Sequence, residues 1–338
     1  MKVQKNRKKI FGLFFKIIIS VALIYLIILR IDLNEIYFII KDVKLHIYIM
    51  AFFLIVLGVI LSSLKWKILL RSLGEKTNLW KLVQYYYFGT FFNMFFPSSI
   101  GGDVIRVAIL GKNNNKLFKS GVSVLFERII GFFALLTIAS VAFIINFHFV
   151  KEPPLIYFMT GVLILETSFI LAFIEPRVLN IFRKIGIKLF SLFRIKKGRK
   201  WVDDLYEAFI QVRENKRAFG WSLFISFIFQ LTAIFTFVVA MVALNLDIPV
   251  RHFFSFQPII MILTMLPVSF NGIGVREWGY IFLYGEVGVA REIILAISFS
   301  VFFLKIINSL LGGIMYLIYL ITNKIKESIK NGNQGIKS

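Results

Sequence analysis

Residues 92–106, FNMFFPSSIGGDVIR, break a long apolar run with Pro97, Gly101 and Gly102, then set Asp103 and Arg106 among apolar neighbours. In lipid, an interrupted backbone and an unpaired ion are both costly. Such a break is tolerated only where protein encloses it or it lines a polar cavity. The surroundings are membrane-like. The chain of 338 residues is 58% hydrophobic with 39 Phe, and its mean hydropathy is +0.81. Several of its runs approach the roughly 20 residues that cross a bilayer. The expected fold class is therefore an all-α polytopic membrane protein.

Charge and composition narrow the function classes. The formal charge of +22 and pI near 10.1 would suggest nucleic acid in a soluble protein. Here positive-inside loops and anionic headgroups account for them, so no nucleic-acid partner is expected. Cys is absent, which excludes disulfides and thiolate metal sites, and His46, His148 and His252 are scattered without ligand spacing. No cofactor is expected. No Ser/His/Asp grouping, P-loop, paired-carboxylate motif or Asp-x-Asp stands out, so nothing in the sequence argues for an enzyme.

Loop charges set the expected topology. A basic N-terminus precedes a first span at about 10–29, read as uncleaved. The charge-balanced stretch 30–46 is placed outside, span 2 at about 47–64, and the basic loop 65–81 inside. Residues 82–96 end at Pro97, and only a short segment separates that break from the basic loop holding Lys112, Lys116 and Lys119. A re-entrant hairpin entering from the cytoplasm satisfies both constraints. Spans at about 117–147 and 155–174 follow, then a basic cytoplasmic loop over 175–219. Its interleaved aromatics and cations fit either a helix on an anionic membrane surface or a solvated loop. Span 5 at about 220–246 leads outside. A second broken segment, residues 253–284 around Pro267, must then enter and leave from outside before the last span at 293–321. The sum is about six full spans plus two oppositely oriented re-entrant hairpins, with cytoplasmic termini. Residues 1–324 form one transmembrane domain, and 325–338 a cytoplasmic tail.

A shift of 170 residues lays Pro97 on Pro267, Ser99 on Ser269, Gly102 on Gly272 and Arg106 on Arg276. The halves, about 47–147 and 217–321, carry spans of opposite direction, so the repeat is inverted. Interrupted segments at matching places in two halves point to a transporter's binding site. The second half of each hairpin offers a helix N-terminus to an anion, with Arg106 and Arg276 one turn further on. Asp103 and Glu277 offer a plainer alternative, in which first-turn acids balance the helix ends and pair with the arginines. Glu127 and Arg128 are adjacent in an apolar run and point about 100° apart, so each needs its own partner; Arg106 or Arg276 suits Glu127. The alternative places both near the cytoplasmic end, reaching out to water. Glu166, Gln230, Lys305 and Asn308 are single polar residues within spans; the last two share a face that suits a cavity wall. Gly58, Gly312 and Gly313 mark close helix packing, and Tyr85–Tyr87 a packing surface.

The pattern Asn93, Pro97, Gly101-Gly102-Asp103 and Arg106, then SVLFERIIG at 123–131, then PVSFNGIGVRE at 267–277, resembles the lysylphosphatidylglycerol synthase transmembrane region, a flippase-like domain. The resemblance spans nearly the whole chain. In bifunctional members an aminoacyl-transferase domain follows; here the sequence ends at Ser338, so the resemblance implies the lipid-translocating half. It carries over as substrate-binding candidates Asn93, Pro97, Gly101, Gly102, Asp103, Arg106, Glu127, Arg128, Ser269, Gly272, Gly274, Arg276 and Glu277. The expected activity is movement of a phosphate-bearing lipid across the cell membrane: a phospholipid, an aminoacyl-phospholipid or a polyprenyl-linked lipid. The alternative is the membrane component of a lipid-modifying transferase, working with a separate enzyme.

Overall fold

A computed structural model describes residues 25–27, 29, 32–96, 101–114, 117–145, 153–192, 198–265 and 268–335. The expected first span therefore lies almost wholly outside the described residues. So do Pro97 and Pro267, the two prolines of the sequence repeat. All regular structure among the described residues is helical. In order these are α1 (Leu33–Lys41), α2 (Leu45–Ser72), α3 (Leu79–Asn93), α4 (Gly101–Asn114), α5 (Leu117–Ile145), α6 (Pro153–Ile174), α7 (Pro176–Leu192), α8 (Gly198–Glu214), α9 (Lys216–Ala243), α10 (Val250–Met265), a 3-10 turn (Phe270–Gly272), α11 (Val275–Gly285) and α12 (Arg291–Gly335).

Four of these helices are long and apolar enough to cross a membrane: α2, α5, α9 and the first 32 residues of α12. Their starts are set by local chemistry where the sequence supplies it. Asn215 caps α9 by accepting the Ala218 amide at 3.1 Å, and Asn78 caps α3 through the Trp80 amide at 2.9 Å. Three of the hairpin helices fall well below a full crossing. At 1.5 Å per residue, α3 and α4 are each about 21–22 Å long and α11 about 17 Å, against a hydrocarbon core of about 30 Å.

Two pairs of short helices fold back on themselves. Along α3 and α4, Gly89 meets Gly102 and Tyr86 meets Arg106, so later residues of one face earlier residues of the other. The backbones touch there: a Cβ on Gly102 would sit 1.9 Å from the Gly89 carbonyl oxygen. Along α10 and α11, Gly279 meets Ile260, Tyr280 meets Gln257 and Tyr284 meets Phe253, again antiparallel.

The helices pack as two units that exchange partners. The long helices α2 and α9 lie along each other. They run antiparallel, because the Lys44 amide donates to Ala243 O at 2.7 Å while Gly58 meets Phe229. Hairpin α3–α4 rests on α5 through α4 and on α12 through α3; hairpin α10–α11 rests on α12 through α11 and on α5 through α10. Each hairpin is thus clamped between the long helix that follows it and the corresponding helix of the other unit. At Gly312 a Cβ would lie 2.1 Å from Tyr87 O, so α12 and α3 also touch backbone to backbone.

Two segments differ from expectation, and a third takes the helical one of the two forms expected for it. The stretch 65–81, expected as a basic loop, begins inside α2: the helix continues to Ser72, and Lys65 is only 4% exposed. The apolar residues Trp66, Leu69 and Leu70 carry it onward into the core. The stretch 30–46 contains α1, capped by Asp32, which accepts the Asn34 amide at 2.8 Å. The stretch 175–219 holds two helices, α7 and α8, joined through Arg183 and Asp203. Helix α8 then docks on the core, with Phe209 against Phe126 and the Gln211 amide on Ser72 O at 3.0 Å.

Candidate functional site

The tips of both hairpins border the same interior space. Residues Asn93 and Met94 at the end of α3, and Met261, Thr264 and the Phe270–Gly272 turn after α10, line a cavity of about 450 Å³. A smaller space of about 210 Å³ adjoins it toward α4 and α5. Ser62, Tyr86, Thr90, Asn93 and Phe229 border both, forming the wall between the two compartments.

The smaller compartment holds a dense ion cluster. Arg106 Nη1 donates to Glu127 Oε2 at 2.6 Å, and its Nε and Nη2 contact Asp103 at 3.1 and 3.0 Å. Arg128 also pairs with Asp103. The Arg106 guanidinium lies 4.5 Å from the Tyr86 ring centroid and 4.9 Å from that of Trp66. The Tyr86 hydroxyl donates to Glu127 Oε1 at 3.2 Å. Arg106 and Glu127 are each 3% exposed. Such burial is sustained only because every face of the guanidinium meets a carboxylate or an aromatic ring. Glu127 therefore meets Arg106 and does not reach out to water. Its neighbour Arg128 points elsewhere on α5 and is partly exposed, as their 100° separation requires.

Each remaining candidate of the first hairpin has a local reason. Gly101 and Gly102 open α4, and the Gly102 amide donates to Asn93 Oδ1 at 2.7 Å. Asn93 thus satisfies one otherwise free amide at the helix start and ties the two arms together.

The second hairpin repeats this logic with fewer ions. Gly274, at φ +87°, turns the chain into α11, and its amide donates to Glu277 Oε2 at 2.7 Å. The other Glu277 oxygen accepts from Arg276 Nε at 2.8 Å. Gly272, at φ +76°, packs on Thr264. Ser269 is buried, and its hydroxyl meets no hydrogen-bond partner among the described residues. Arg276 faces the larger cavity, its guanidinium 4.5 Å from the Phe302 ring centroid. Arg106 and Arg276 thus serve adjoining compartments; they do not share one. The first-turn acids pair with both arginines, as the plainer alternative has it.

Three side chains at the site escaped the sequence reading. Lys65 lines the smaller compartment, and Tyr86 stands in the shared wall. Trp66 stacks on Arg106 and donates through Nε1 to Ser123 Oγ at 2.8 Å. The resumption of apolar residues after Lys65 was the available signal for the first. Lys305 and Asn308 line the larger cavity from α12, and Asn308 accepts the Tyr87 hydroxyl at 3.2 Å. Glu166 and Gln230 instead bridge helices: Glu166 accepts from Thr137 and Ser140, and Gln230 donates to Gly131 O.

A family model described as the lysylphosphatidylglycerol synthase TM region matches residues 13–313. Comparison with curated proteins gives no match, and comparison with solved structures gives none. Together with the four long apolar helices, the family match makes the chain a multi-pass membrane protein of helical fold.

Proposed function

We propose that the chain, which belongs to the lysylphosphatidylglycerol synthase TM region family, moves a phosphate-bearing lipid between the leaflets of the cell membrane. One observation carries this reading: two short helical hairpins end at adjoining cavities, and the walls of those cavities carry arginine, lysine and carboxylate side chains. Ions at that density inside an apolar helical bundle need a polar ligand or a polar path to offset their desolvation. Short broken helices at corresponding places of two units are the transporter arrangement.

In this reading both hairpins are re-entrant and enter from opposite sides. The antiparallel run of α2 against α9 supports opposite orientation of the two units. The headgroup occupies the cavities, near the α4 and α11 N-termini, Arg106 and Arg276, while the acyl chains stay in lipid. Alternate opening of the two compartments then moves it across. Helix α7 lies on the anionic cytoplasmic surface, with Ile181, Phe182, Ile185 and Leu189 toward lipid and Lys184 and Lys188 toward headgroups. The termini are cytoplasmic.

Purified protein in liposomes should speed the transfer of a labelled phospholipid between leaflets, and Arg106→Ala should abolish it. Rates equal to those of protein-free liposomes for several lipids would refute the proposal. A second reading follows from the family description, which names a synthase: the chain would be the membrane component of a lipid-modifying transferase, with a separate enzyme. Lipid extracts of a deletion strain separate the two. A missing modified lipid favours the transferase; an unchanged inventory with altered leaflet exposure favours transport.

A further inference from the structure

Helix α7 carries four cations and no acid, whereas α8 carries three cations and four acids, so only α7 complements an anionic surface. Its side chains divide into three faces. Ile181, Phe182, Ile185 and Leu189 form an exposed apolar stripe. Lys184 and Lys188, also exposed, lie about a quarter turn to one side of it. Arg183 and Gly186 face α8. Arg183 Nε donates to Asp203 Oδ1 at 2.8 Å, the guanidinium lies 5.0 Å from the Tyr206 ring centroid, and a Cβ on Gly186 would sit 3.4 Å from Val202. An apolar stripe flanked by lysines is the pattern of a helix lying in a headgroup layer. The chain brings it to that layer: only Glu175 separates α7 from the end of the apolar helix α6, and the Glu175 amide donates back to Leu171 O at 2.8 Å.

Helix α8 is the other arm, and it reaches the site. Phe209 and Val212 join Leu69 and Leu73 of α2 and Phe126 and Ile130 of α5 in one apolar cluster, and Gln211 Nε2 donates to Ser72 O at 3.0 Å. The same stretches of α2 and α5 carry the ion cluster: Trp66 lies one turn before Leu69, and Glu127 follows Phe126. The contacts of that cluster cross between helices, as in Trp66 with Ser123 at 2.8 Å and Arg106 with Glu127 at 2.6 Å. They depend on how α2, α4 and α5 sit against one another. Helix α8 braces two of these three, and α7 joins the brace to the leaflet.

We propose that the α7–α8 pair is a lipid-charge sensor: anionic lipid of the cytoplasmic leaflet binds α7 and thereby holds α8 against α2 and α5, keeping the ion cluster assembled. Its effect on activity rests on the transport reading of the cavities and adds a control to it. The Arg183–Asp203 pair is the joint through which α7 acts on α8. A leaflet poor in anionic lipid leaves α7 unheld, and the brace loosens.

The test uses the full chain in phosphatidylcholine liposomes made with or without phosphatidylserine, with the same labelled phospholipid as transported probe in both. Phosphatidylserine should raise leaflet transfer at least about fivefold, the scale of one basic side chain at an anionic surface. Lys184→Gln/Lys188→Gln should lose that rise. A rise kept in this variant would overturn the proposal, because an effect of phosphatidylserine on the cavities themselves does not depend on α7. A second readout needs no transport. The chain holds no Cys, so Arg71→Cys/Glu207→Cys gives a single spin-label pair between α2 and α8, both positions being exposed. Phosphatidylserine should narrow the distance distribution of this pair, and Arg183→Gln should abolish the narrowing although Lys184 and Lys188 remain. Identical distributions in both liposomes would overturn the proposal; they are the result expected if an acidic protein, and not the leaflet, occupies α7. Narrowing without transfer in any liposome refutes the transport reading and leaves the sensor standing. Transfer that ignores phosphatidylserine refutes the sensor and leaves transport standing.

Discussion

Replacing Glu127 with Ala puts the ion cluster under its most direct stress. Arg106 would keep Asp103, but Asp103 is already shared with Arg128. Lys65, Arg106 and Arg128 would then face one carboxylate. Removing one partner of a buried ion pair costs about 3–5 kcal/mol, and the Tyr86 hydroxyl loses its acceptor for about 1 kcal/mol more. The expected loss is therefore about 4–6 kcal/mol. The double variant Arg106→Met/Glu127→Met removes both ions and their desolvation together. It should cost less than the sum of its single variants by at least about 1 kcal/mol, because the partners are coupled. Equilibrium unfolding in mixed micelles measures both quantities. Trp66, stacked on Arg106, supplies a local fluorescence signal. A Glu127→Ala protein within about 1 kcal/mol of wild type, or strict additivity in the cycle, would refute the claim that this pair holds the cluster together.

Three further outcomes follow from close contacts. Gly102→Ala forces a methyl against the Gly89 carbonyl and should cost about 1–3 kcal/mol or more in the same unfolding assay, whereas an unchanged midpoint would mean that the two backbones do not touch. Ser123→Ala leaves the buried Trp66 indole N–H without its acceptor; a loss of about 1–3 kcal/mol is expected, and a neutral result would remove that hydrogen bond from the account. Gly274→Ala places a side chain at φ +87° and should destabilise by about 1–2 kcal/mol, with the effect absent at Gly285, where a Cβ meets nothing.

The pairing of Glu127 with Arg106 was among the options open from the sequence, beside Arg276 and an approach to water, because adjacent side chains about 100° apart on a helix cannot neutralise each other. The helix interruptions after Asn93 and after Met265 were legible because proline and glycine have few other uses beside ions in an apolar run. Lys65 was not legible by the same logic. Lysines at 65, 67, 76 and 81 look like one loop when counted by charge, and only the fold separates the buried member from the rest. Tyr86 was hidden for the opposite reason: within Tyr85–Tyr87, three identical side chains leave the helix in three directions, and sequence does not say which one meets Arg106. The separation of the arginines into adjoining compartments depends on Tyr86 and Phe229, residues about 140 positions apart, so no local pattern encodes it.

The exchange of partners between units has a consequence for synthesis at the ribosome. Helix α3 emerges early, yet the surface that covers it, around Gly312 on α12, is made about 225 residues after the Tyr87 it meets. Until then the first hairpin must sit in the insertion machinery or the bilayer with that face uncovered. The nascent hairpin is thus held open while everything between it and α12 is made, and it closes only when that long helix arrives.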